Sequence, residues 1–226
     1  MTHSQRRALT TLWQHFGVDA GTAPLDPAML FEHHAPLVLE IGFGDGETLA
    51  TMASTDPLMN YLGLEVHRPG VGHLLLRAEA LALTNLRIMC ADAVEVLERQ
   101  IPDESLDRVQ IFFPDPWPKA RHHKRRLIQA SFITLLVHKL NPGGQLHIAT
   151  DCEDYAHSIL QLLSATPELV NRAEGHGFAL RPPHRPSTRF EQRGLRLGYA
   201  IRDILFARRE RTEWLPRGYQ AVGAEC

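Results

Sequence analysis

Three glycines at alternate positions follow a short apolar segment, Leu37 to Ile41, and could form the loop of a ligand site. They are Gly42, Gly44 and Gly46. Glycine lets the backbone approach a ligand closely. A dinucleotide-binding loop has a further glycine where Glu47 stands in this chain, at the start of a helix that faces a pyrophosphate. Because a carboxylate in that position repels phosphate, we predict a ligand that carries none.

Acidic residues recur at the ends of the apolar segments. Glu40 precedes the glycine loop, Glu65 ends the second segment and Asp92 follows the third. Glu65 is placed to accept hydrogen bonds from both hydroxyls of a ribose, and Asp92 to accept one from an adenine amino group. S-adenosylmethionine carries a sulfonium and an ammonium without phosphate, so an acid-lined glycine loop suits it as a cofactor. The alternative for each acid is a helix cap.

A proline-rich loop follows the fourth apolar segment. It reads Pro114-Asp115-Pro116-Trp117-Pro118-Lys119 and leads into Arg121-His122-His123-Lys124-Arg125-Arg126. Prolines keep a loop extended and rigid, and open α/β sheets bind ligands at the carboxyl edge of their strands. We therefore expect Asp115 to be held over the cofactor crevice. The alternative is a simple turn in which Asp115 caps a helix with a solvated basic face.

The charges are distributed unevenly along the 226 residues, although the net charge is only −2. Residues 115–145 contain six Lys and Arg against one acid, and residues 172–217 contain eleven Arg against five acids. Such an asymmetry can focus a polyanion onto one face of an otherwise acidic protein. The alternative is scattered, solvated charge. We predict that the basic segments bind nucleic acid.

Strands and helices are predicted to alternate in the part of the chain that must position these residues. Short apolar segments predict buried strands at Leu37–Ile41, Tyr61–Val66, Leu86–Cys90, Arg108–Phe113 and Gln145–Ala149. Helical periodicity predicts helices at Glu47–Ala53, Val71–Leu83, Ala93–Arg99, Lys124–Leu140 and Asp154–Leu163. This alternation is typical of a parallel sheet with helices on both faces.

The two ends of the chain differ from this pattern. Residues 4–16 have apolar side chains at helical spacing, and a Gly/Pro-rich link runs from Gly17 to Pro27. Near the other end, Phe178–Leu180 and Tyr199–Ala207 predict an antiparallel hairpin around an Arg/Pro-rich loop at Arg181–Arg196. We expect residues 1–35 to pack on a single domain at 36–209, with a tail at 210–226.

Several classes of protein do not fit the sequence. No apolar stretch reaches the roughly 18 residues of a membrane-spanning helix, and the N-terminus does not resemble an export signal. Cys90, Cys152 and Cys226 are widely spaced, which favours a reducing cytoplasm over a disulfide framework. Adjacent histidine pairs, such as His33-His34, diverge rather than converge on a metal. We expect no metal and no membrane contact.

Together these motifs resemble the bacterial tRNA (guanine-N7-)-methyltransferase family, from about Leu37 to Ala207. The matching motifs are Glu40-Ile41-Gly42-Phe43-Gly44, Glu65-Val66-His67-Arg68-Pro69-Gly70, the stretch from Phe113 to Arg126, and Thr188-Arg189-Phe190-Glu191. The resemblance implies an α/β, Rossmann-like class I methyltransferase fold. Such a fold has a mostly parallel seven-stranded sheet with helices on both faces and a C-terminal antiparallel hairpin.

The resemblance also implies roles for individual residues. Glu40, Glu65, Asp92 and Asp115 would line the cofactor site, together with Gly42, Gly44 and Gly46. The substrate would meet Lys119, Asp151, Thr188, Arg189, Phe190 and Glu191. Arg189 stands where the family more often has Lys, which keeps the charge but changes the geometry of the donors. The modified nucleotide would be a guanosine of the tRNA variable loop.

Guanine N7 carries a lone pair and no proton, so its methylation needs no base and depends mainly on alignment. We predict that Asp115 accepts hydrogen bonds from N1 and the exocyclic amino group of the guanine, and that its charge stabilises the developing cation. Trp117 or Phe190 could stack on the base. We assign Arg121, His122, His123, Lys124, Arg125 and Arg126 to the phosphates of the RNA.

Two other functions remain open at the level of the sequence. A class I methyltransferase of a small molecule or a protein would have the same fold, and a non-catalytic RNA-binding protein would have the basic segments. The first has no use for two arginine-rich segments, and the second has no use for acids around a glycine loop. The sequence is compatible with either a monomer or a homodimer.

Overall fold

A seven-stranded sheet forms the centre of the protein. The computed structural model describes residues 1–31, 33–196 and 198–210, without the side chains of Arg189, Phe190 and Arg193. The strands are β1 (Leu37–Ile41), β2 (Asn60–Leu64), β3 (Leu86–Met89), β4 (Leu106–Phe112), β5 (Leu140–Thr150), β6 (Leu169–Asn171) and β7 (Arg202–Arg208). The predicted tail lies outside the described residues beyond Glu210.

Helices connect most of the strands. They are α1 (His3–Thr11), α2 (Trp13–Phe16), α3 (Pro27–Leu30), α4 (Glu47–Thr55), α5 (Arg68–Ala80), α6 (Ala93–Arg99), α7 (Ala130–Lys139), α8 (Glu153–Ser164) and α9 (Arg189–Arg196). Short 3-10 helices lie at Ala120–Arg125 and Glu174–His176. Within the described residues, none of the helices is long and apolar enough to cross a membrane.

The strand order is β3-β2-β1-β4-β5-β7-β6. The first five strands in this order are parallel, and β7 is antiparallel to both β5 and β6. The predicted class I methyltransferase fold with its antiparallel C-terminal hairpin is confirmed. The chain order reverses between β1 and β4, and ligands of open α/β sheets bind outside the carboxyl ends of the strands at such a point.

Apolar side chains cover both faces of the sheet. One buried cluster includes Val96 of α6, Phe132 of α7 and Ile159 of α8. The cluster on the other face includes helices α4 and α5 together with Ala8 and Phe16 from the N-terminal segment. The N-terminal helices therefore bury apolar surface against the helices on this face of the sheet.

The predicted helix Lys124–Leu140 is wrong in its first third. The chain forms a 3-10 helix up to Arg125, and α7 begins only at Ala130. The side-chain amide of Gln129 donates to the carbonyl oxygens of Lys124 and Arg126 at 2.9 and 2.7 Å. Because these carbonyls are bound by a side chain, they do not continue into the hydrogen-bond pattern of an α-helix.

Two details of the C-terminal region also differ from the prediction. The strand that pairs with β7 at the sheet edge is β6, whereas Phe178–Leu180 contributes only an isolated bridge between Ala179 and Asp203. The segment predicted as a loop at Arg181–Arg196 contains α9. Its first turn has the Thr-x-x-Glu pattern of a capping box, a helix signal that the prediction overlooked.

Candidate active site

The glycine loop makes a sharp turn between β1 and α4. Gly42, Gly44 and Gly46 all have positive φ, and Gly46 adopts the left-handed conformation with φ 76° as the N-cap of α4. A Cβ on Gly46 would lie 2.7 Å from Cβ of Leu74. Any larger residue would therefore be strained in its backbone and would clash with α5. The loop conformation depends on glycine at this position.

Glu65 holds this loop in place. One oxygen of its carboxylate accepts a hydrogen bond from the amide of Gly44 at 2.9 Å, and the other accepts from the amides of Val66 and His67 at 2.7 and 2.8 Å. A carboxylate has about four lone-pair sites. Glu65 can therefore keep the loop in position and still accept a hydrogen bond from a ligand hydroxyl.

Asp92 lies beside Glu65 at the end of β3. Both residues line a cavity of about 150 Å³ whose apolar walls include Leu64, Val94 and Leu127. One oxygen of Asp92 also accepts from the amides of Val94 and Glu95 at 2.9 and 3.2 Å, so Asp92 caps α6. The capping interpretation therefore holds for Asp92, and it is compatible with a binding role.

Glu40 forms the floor of a larger cleft on the other side of the glycine loop. Only 2 % of its surface is exposed, and burial raises its pKa to about 8. Among the described residues, Nε2 of Gln110 donates a long hydrogen bond to the Glu40 carboxyl, at 3.5 Å. Oε1 of Gln110 is itself buried without a hydrogen-bond partner among the described residues. A buried acid beside an unsatisfied amide oxygen is a site for a cationic ligand.

The larger cleft has a volume of about 440 Å³. It is lined by Glu40, Gly42, Phe43, Gly44, Asp45, Glu47, Thr48, Thr51, Phe112, Phe113, Asp115, Pro186, Ser187 and Thr188. Four of these are acidic, and Glu47 is paired with Arg77 at 3.2 Å. Asp115 is exposed and has no hydrogen-bond partner in the part of the chain that the structure describes. Its carboxylate is therefore available to a ligand in the cleft.

The proline-rich loop that carries Asp115 has a strained backbone. Phe113 and Trp117 have φ values of 54° and 41°, a conformation that costs a non-glycine residue about 1–3 kcal/mol. The guanidinium of Arg126 holds the middle of the loop, because its Nε donates to the carbonyl oxygen of Pro116 at 2.9 Å. Such strain is typical of functional sites, where the surrounding structure fixes the backbone.

Arg126 does not fit the predicted contact with phosphate. It is only 5 % exposed, its Nη2 lies 2.6 Å from the carboxylate of Asp154, and its guanidinium covers the ring of Tyr155 at 4.6 Å. The residue belongs to the framework of the loop. The run of basic residues in the sequence suggested that Arg126 would be exposed. Its burial results from packing against α8, and a local sequence pattern does not show such packing.

The other basic residues of the run are accessible. Arg121, Lys124 and Arg125 are exposed, and the two histidines between them are half-buried. The guanidinium of Arg125 lies 4.9 Å from the ring centre of Trp117. The ring of His122 meets Trp117 edge-on at 5.9 Å. Trp117 is therefore already packed by two cationic or polar side chains of its own chain, which limits the faces that could stack on a base.

The segment from Thr188 to Glu191, which closes one side of the cleft, forms the N-terminal cap of helix α9. The amide of Glu191 donates to Oγ1 of Thr188 at 2.9 Å, and the amide of Thr188 donates to the carboxylate of Glu191 at 3.4 Å. Glu191 is only 3 % exposed and forms an ion pair with Arg185 at 2.6 Å. Thr188 lines the cleft, whereas the predicted contact between Glu191 and substrate does not fit this buried, paired position.

Comparison with known proteins identifies the family. A model described as a putative methyltransferase matches residues 34–204. A tRNA (guanine-N(7)-)-methyltransferase of Nitrosospira multiformis is 53% identical over 210 residues, which cover 93% of this chain and 91% of the relative. One of Halorhodospira halophila is also 53% identical, over 94% of this chain and 92% of the relative. This chain belongs to the tRNA (guanine-N(7)-)-methyltransferase family.

Solved structures with low sequence identity show the same fold. The 16S rRNA methyltransferase KamB superposes with a TM-score of 0.55 at 14% identity, covering 80% of this chain and 91% of that one. An rRNA methylase from Streptococcus thermophilus has a TM-score of 0.51 at 13% identity, covering 78% and 88%. At this identity the likeness concerns the fold alone.

The site fits S-adenosylmethionine, the cofactor that membership of this family implies. The buried carboxyl of Glu40 and the unsatisfied Oε1 of Gln110 offer acceptors to the ammonium of the methionine part. Glu65 and Asp92 in the smaller cavity offer acceptors to the ribose and the adenine amino group. Within the described residues, no cluster of three potential metal ligands is present.

The structure brings together the acidic residues and two of the glycines predicted to bind the cofactor. Glu40, Gly42, Gly44, Asp115 and Thr188 line the larger cleft, and Glu65 and Asp92 line the smaller cavity. Asp151 lies against α9, where a Cβ on Gly194 would be 3.6 Å from its Oδ2. Lys119 is exposed at the end of the proline-rich loop. The side chains of Arg189 and Phe190 lie outside the described part of the structure.

Sequence reasoning missed several residues of the cleft. Thr48 and Thr51 face the cleft from one side of α4, and Ser187 lies beside Thr188. The i, i+3 spacing of two threonines just after the glycine loop was a usable signal, because it places both on one face of the helix. Ser187 carries no such signal, since its position depends on the turn before α9.

Proposed function

We propose that this protein transfers a methyl group from S-adenosylmethionine to N7 of a guanine in tRNA, forming 7-methylguanosine. The observation that supports this most directly is the position of Asp115 at the cleft, in a chain that belongs to the tRNA (guanine-N(7)-)-methyltransferase family. Its available carboxylate lies on the rim of the same cleft whose floor is Glu40. The cleft is large enough for a base and part of a cofactor, and it opens at the reversal of the strand order.

In this proposal Asp115 aligns the base. S-adenosylmethionine supplies, when bound, a methyl group on a positively charged sulfur. Asp115 accepts hydrogen bonds from N1–H and the exocyclic amino group of guanine, which orients the base, and its charge stabilises the cation that forms on the ring. N7 has no proton to lose, so no residue has to act as a base. Adenine has an acceptor at N1, so it would bind less favourably by about 1–3 kcal/mol.

The residues around Asp115 have supporting roles. Thr188 and Ser187 line the same cleft as Asp115 and supply hydroxyls to the base or its ribose. We assign the nucleotides next to the target to Lys119, which is exposed at the end of the proline-rich loop, and to Asp151, which lies against α9. We propose the variable loop as the source of the guanosine and the cytoplasm as the location. The exposed part of the basic run then binds backbone phosphates, which positions the RNA without reading its sequence.

The proposed reaction is tested by identifying the methylated nucleoside. The purified protein is incubated with labelled S-adenosylmethionine and an unmodified tRNA transcript, and the RNA is digested to nucleosides. We expect the label in 7-methylguanosine, and reverse transcription of undigested RNA after borohydride reduction and aniline cleavage should place it in the variable loop. If the protein binds S-adenosylmethionine but transfers no label to RNA, the methyl acceptor is a small molecule or a protein and the proposal is wrong.

The basic run makes a prediction about salt dependence. Replacing Arg121 and Lys124 with Ala removes two exposed cations beside the proline-rich loop. If both contact phosphates, the slope of log K for tRNA binding against log salt should become shallower by about 1–2, because fewer counterions are released. The measurement is tRNA binding by fluorescence anisotropy at several salt concentrations.

A matched control removes the same charge elsewhere. Arg99 ends α6, and Arg87 lies near the start of β3, so both lie at the edge of the sheet opposite the cleft and outside the two basic segments. Their replacement with Ala should leave the slope unchanged. An Arg121→Ala/Lys124→Ala variant with the slope of the wild type would show that this run does not contact phosphate. Equal flattening in both double variants would point to a general effect of net charge.

A further inference from the structure

A buried cluster of charged groups lies behind the segment that closes the cleft. The side chain of Arg185 at its centre is 0 % exposed. Its Nε and Nη2 donate to the two oxygens of Asp203 in β7 at 2.7 and 2.9 Å. Nη1 and Nη2 donate to the two oxygens of Glu191 in α9 at 2.6 and 3.2 Å. One guanidinium thus joins a strand of the sheet to the first turn of α9.

The sheet side of this cluster is firmly held. Asp203 pairs with Ala149 of β5 in the strand register and accepts a hydrogen bond from the buried His147 at 2.8 Å. Burial opposes the ionisation of Asp203, but hydrogen bonds from His147 and Arg185 outweigh it and hold its pKa below the usual value. Asp203 is therefore a fixed anion that anchors Arg185 to the sheet.

The other side of the cluster supports the rim of the cleft. Arg185 is followed directly by Pro186, Ser187 and Thr188, all three of which line the cleft. The carboxylate of Glu191 that Arg185 binds also accepts from the amide of Thr188. The exposed Arg181 adds a weaker contact to Glu191 at 3.4 Å. The rim is therefore fixed at both ends by one side chain that does not reach the cleft itself.

We infer that Arg185 is a positioning residue for methyl transfer, which holds Pro186, Ser187 and Thr188 in place along the cleft that Asp115 also lines, by bridging Asp203 and Glu191. The inference rests on the proposed function. Stability alone is a weak explanation for such a bridge, because buried ion pairs often contribute little relative to apolar packing. Alignment gives it a specific effect, since a displacement of about 1 Å near reacting groups can lower a rate about 100-fold.

The test is an Arg185→Lys variant. Lysine keeps the positive charge, but a single ammonium lacks the planar fork that binds two carboxylates at once. We expect kcat for tRNA methylation to fall about 10- to 100-fold. The KM for tRNA should change by less than about threefold, because phosphate contacts elsewhere dominate binding. The Kd for S-adenosylmethionine should stay within about twofold, since Glu40, Glu65 and Asp92 are untouched. A kcat within twofold of the wild type would overturn the inference.

Lys139→Met is the matched control. Lys139 is another buried cation, 8 % exposed and paired with Asp103 at 2.7 Å, but it ends α7 at the edge of the sheet opposite the cleft. We expect this variant to keep the kcat of the wild type at a temperature where it is folded, whatever the change in its Tm. If its kcat fell as far as that of Arg185→Lys, the effect would be general destabilisation and the inference would be wrong.

Hydrogen exchange provides a readout that needs neither activity nor the Lys variant. Glu191→Gln weakens the bridge but keeps a side chain that can cap α9. The amides of residues 187–192 should exchange faster than in the wild type, while those of β4 and β5 keep their protection. Unchanged exchange in the segment would overturn the inference. Because this result does not depend on methylation of tRNA, it separates failure of the inference from failure of the proposed function.

Discussion

Replacing Asp115 with Asn should lower kcat by about 100- to 1,000-fold. Asparagine offers one carbonyl oxygen where the carboxylate offers two acceptors, and its NH₂ group opposes the donors of guanine. The variant also loses the negative charge that stabilises the cationic product ring. The Kd for S-adenosylmethionine should change little, because Asp115 lies on the rim and Glu40 on the floor of the cleft. Single-turnover methylation and calorimetric titration measure the two quantities separately.

The control for this variant is Asp103→Asn. Asp103 is an exposed aspartate that is paired with Lys139 and lies far from the cleft. The activity of the Asp103→Asn variant should therefore match that of the wild type. If Asp115→Asn kept near-normal turnover, the orienting role would be wrong. Asp151 at the end of β5 would then be the residue to test, since it also lies beside the segment that closes the cleft.

Replacing Glu40 with Gln should weaken the binding of S-adenosylmethionine by roughly 10- to 100-fold. The Glu40 carboxyl is buried and has a pKa of about 8 without a bound cation. An ammonium beside it favours the charged form, so binding should release a proton. In the wild type the affinity should therefore rise between pH 6 and 7.5. Glutamine has no proton to release, so the variant should lose this dependence, which calorimetry in two buffers can show.

The raised pKa of Glu40 also leads to a prediction about stability. The Glu40→Gln variant should bind the cofactor more weakly but resist unfolding better than the wild type. The unfolded chain loses the Glu40 proton above pH 4.5, whereas the folded protein keeps it up to about pH 8. The contribution of Glu40 to the free energy of unfolding therefore falls as the pH rises between these values. Without cofactor, Glu40→Gln should be more stable than the wild type at pH 8, by on the order of 4 kcal/mol.

Thermal unfolding of the two proteins at pH 5 and pH 8 tests this sign. The gain in Tm should be large at pH 8 and small at pH 5, and it should shrink when S-adenosylmethionine is added. An exposed residue such as Glu98 serves as the control, because Glu98→Gln should show no such pH dependence. A Glu40→Gln variant that is less stable at both pH values would mean that Glu40 is ionised and paired in the folded protein.

Local patterns predicted the strands whose ends carry the acids of the candidate cofactor site. The apolar segment before Gly42 forms β1 as predicted, because a short segment with four apolar residues out of five fits a strand that is buried on both faces. The acids at the ends of three parallel strands had to meet at one edge of the sheet once the alternation of strands and helices was recognised. The fold and the place of Glu40, Glu65 and Asp92 could therefore be inferred.

The substrate half depended on contacts between distant segments. Arg126 and Glu191 lie in motifs whose charge suggested RNA or substrate contacts, yet both are buried in ion pairs. Charge can be counted along a sequence, but burial is decided by packing against α8 and β7. Arg185 stood in an Arg/Pro-rich segment without any distinguishing pattern. The Thr188 to Glu191 capping box was the local signal in this half of the site, and it indicates the start of a helix.

The central claim, that N7 of a guanine accepts the methyl group, is tested most directly by removing that atom. A tRNA transcript made with 7-deazaguanosine has a C–H group in place of N7 and keeps the N1 and amino donors that Asp115 is proposed to bind. Methyl incorporation into this transcript is compared with incorporation into the normal one. We predict no incorporation into the 7-deaza transcript, which should still compete with the normal transcript for binding. Equal incorporation into both would show that another atom is methylated and would contradict the account.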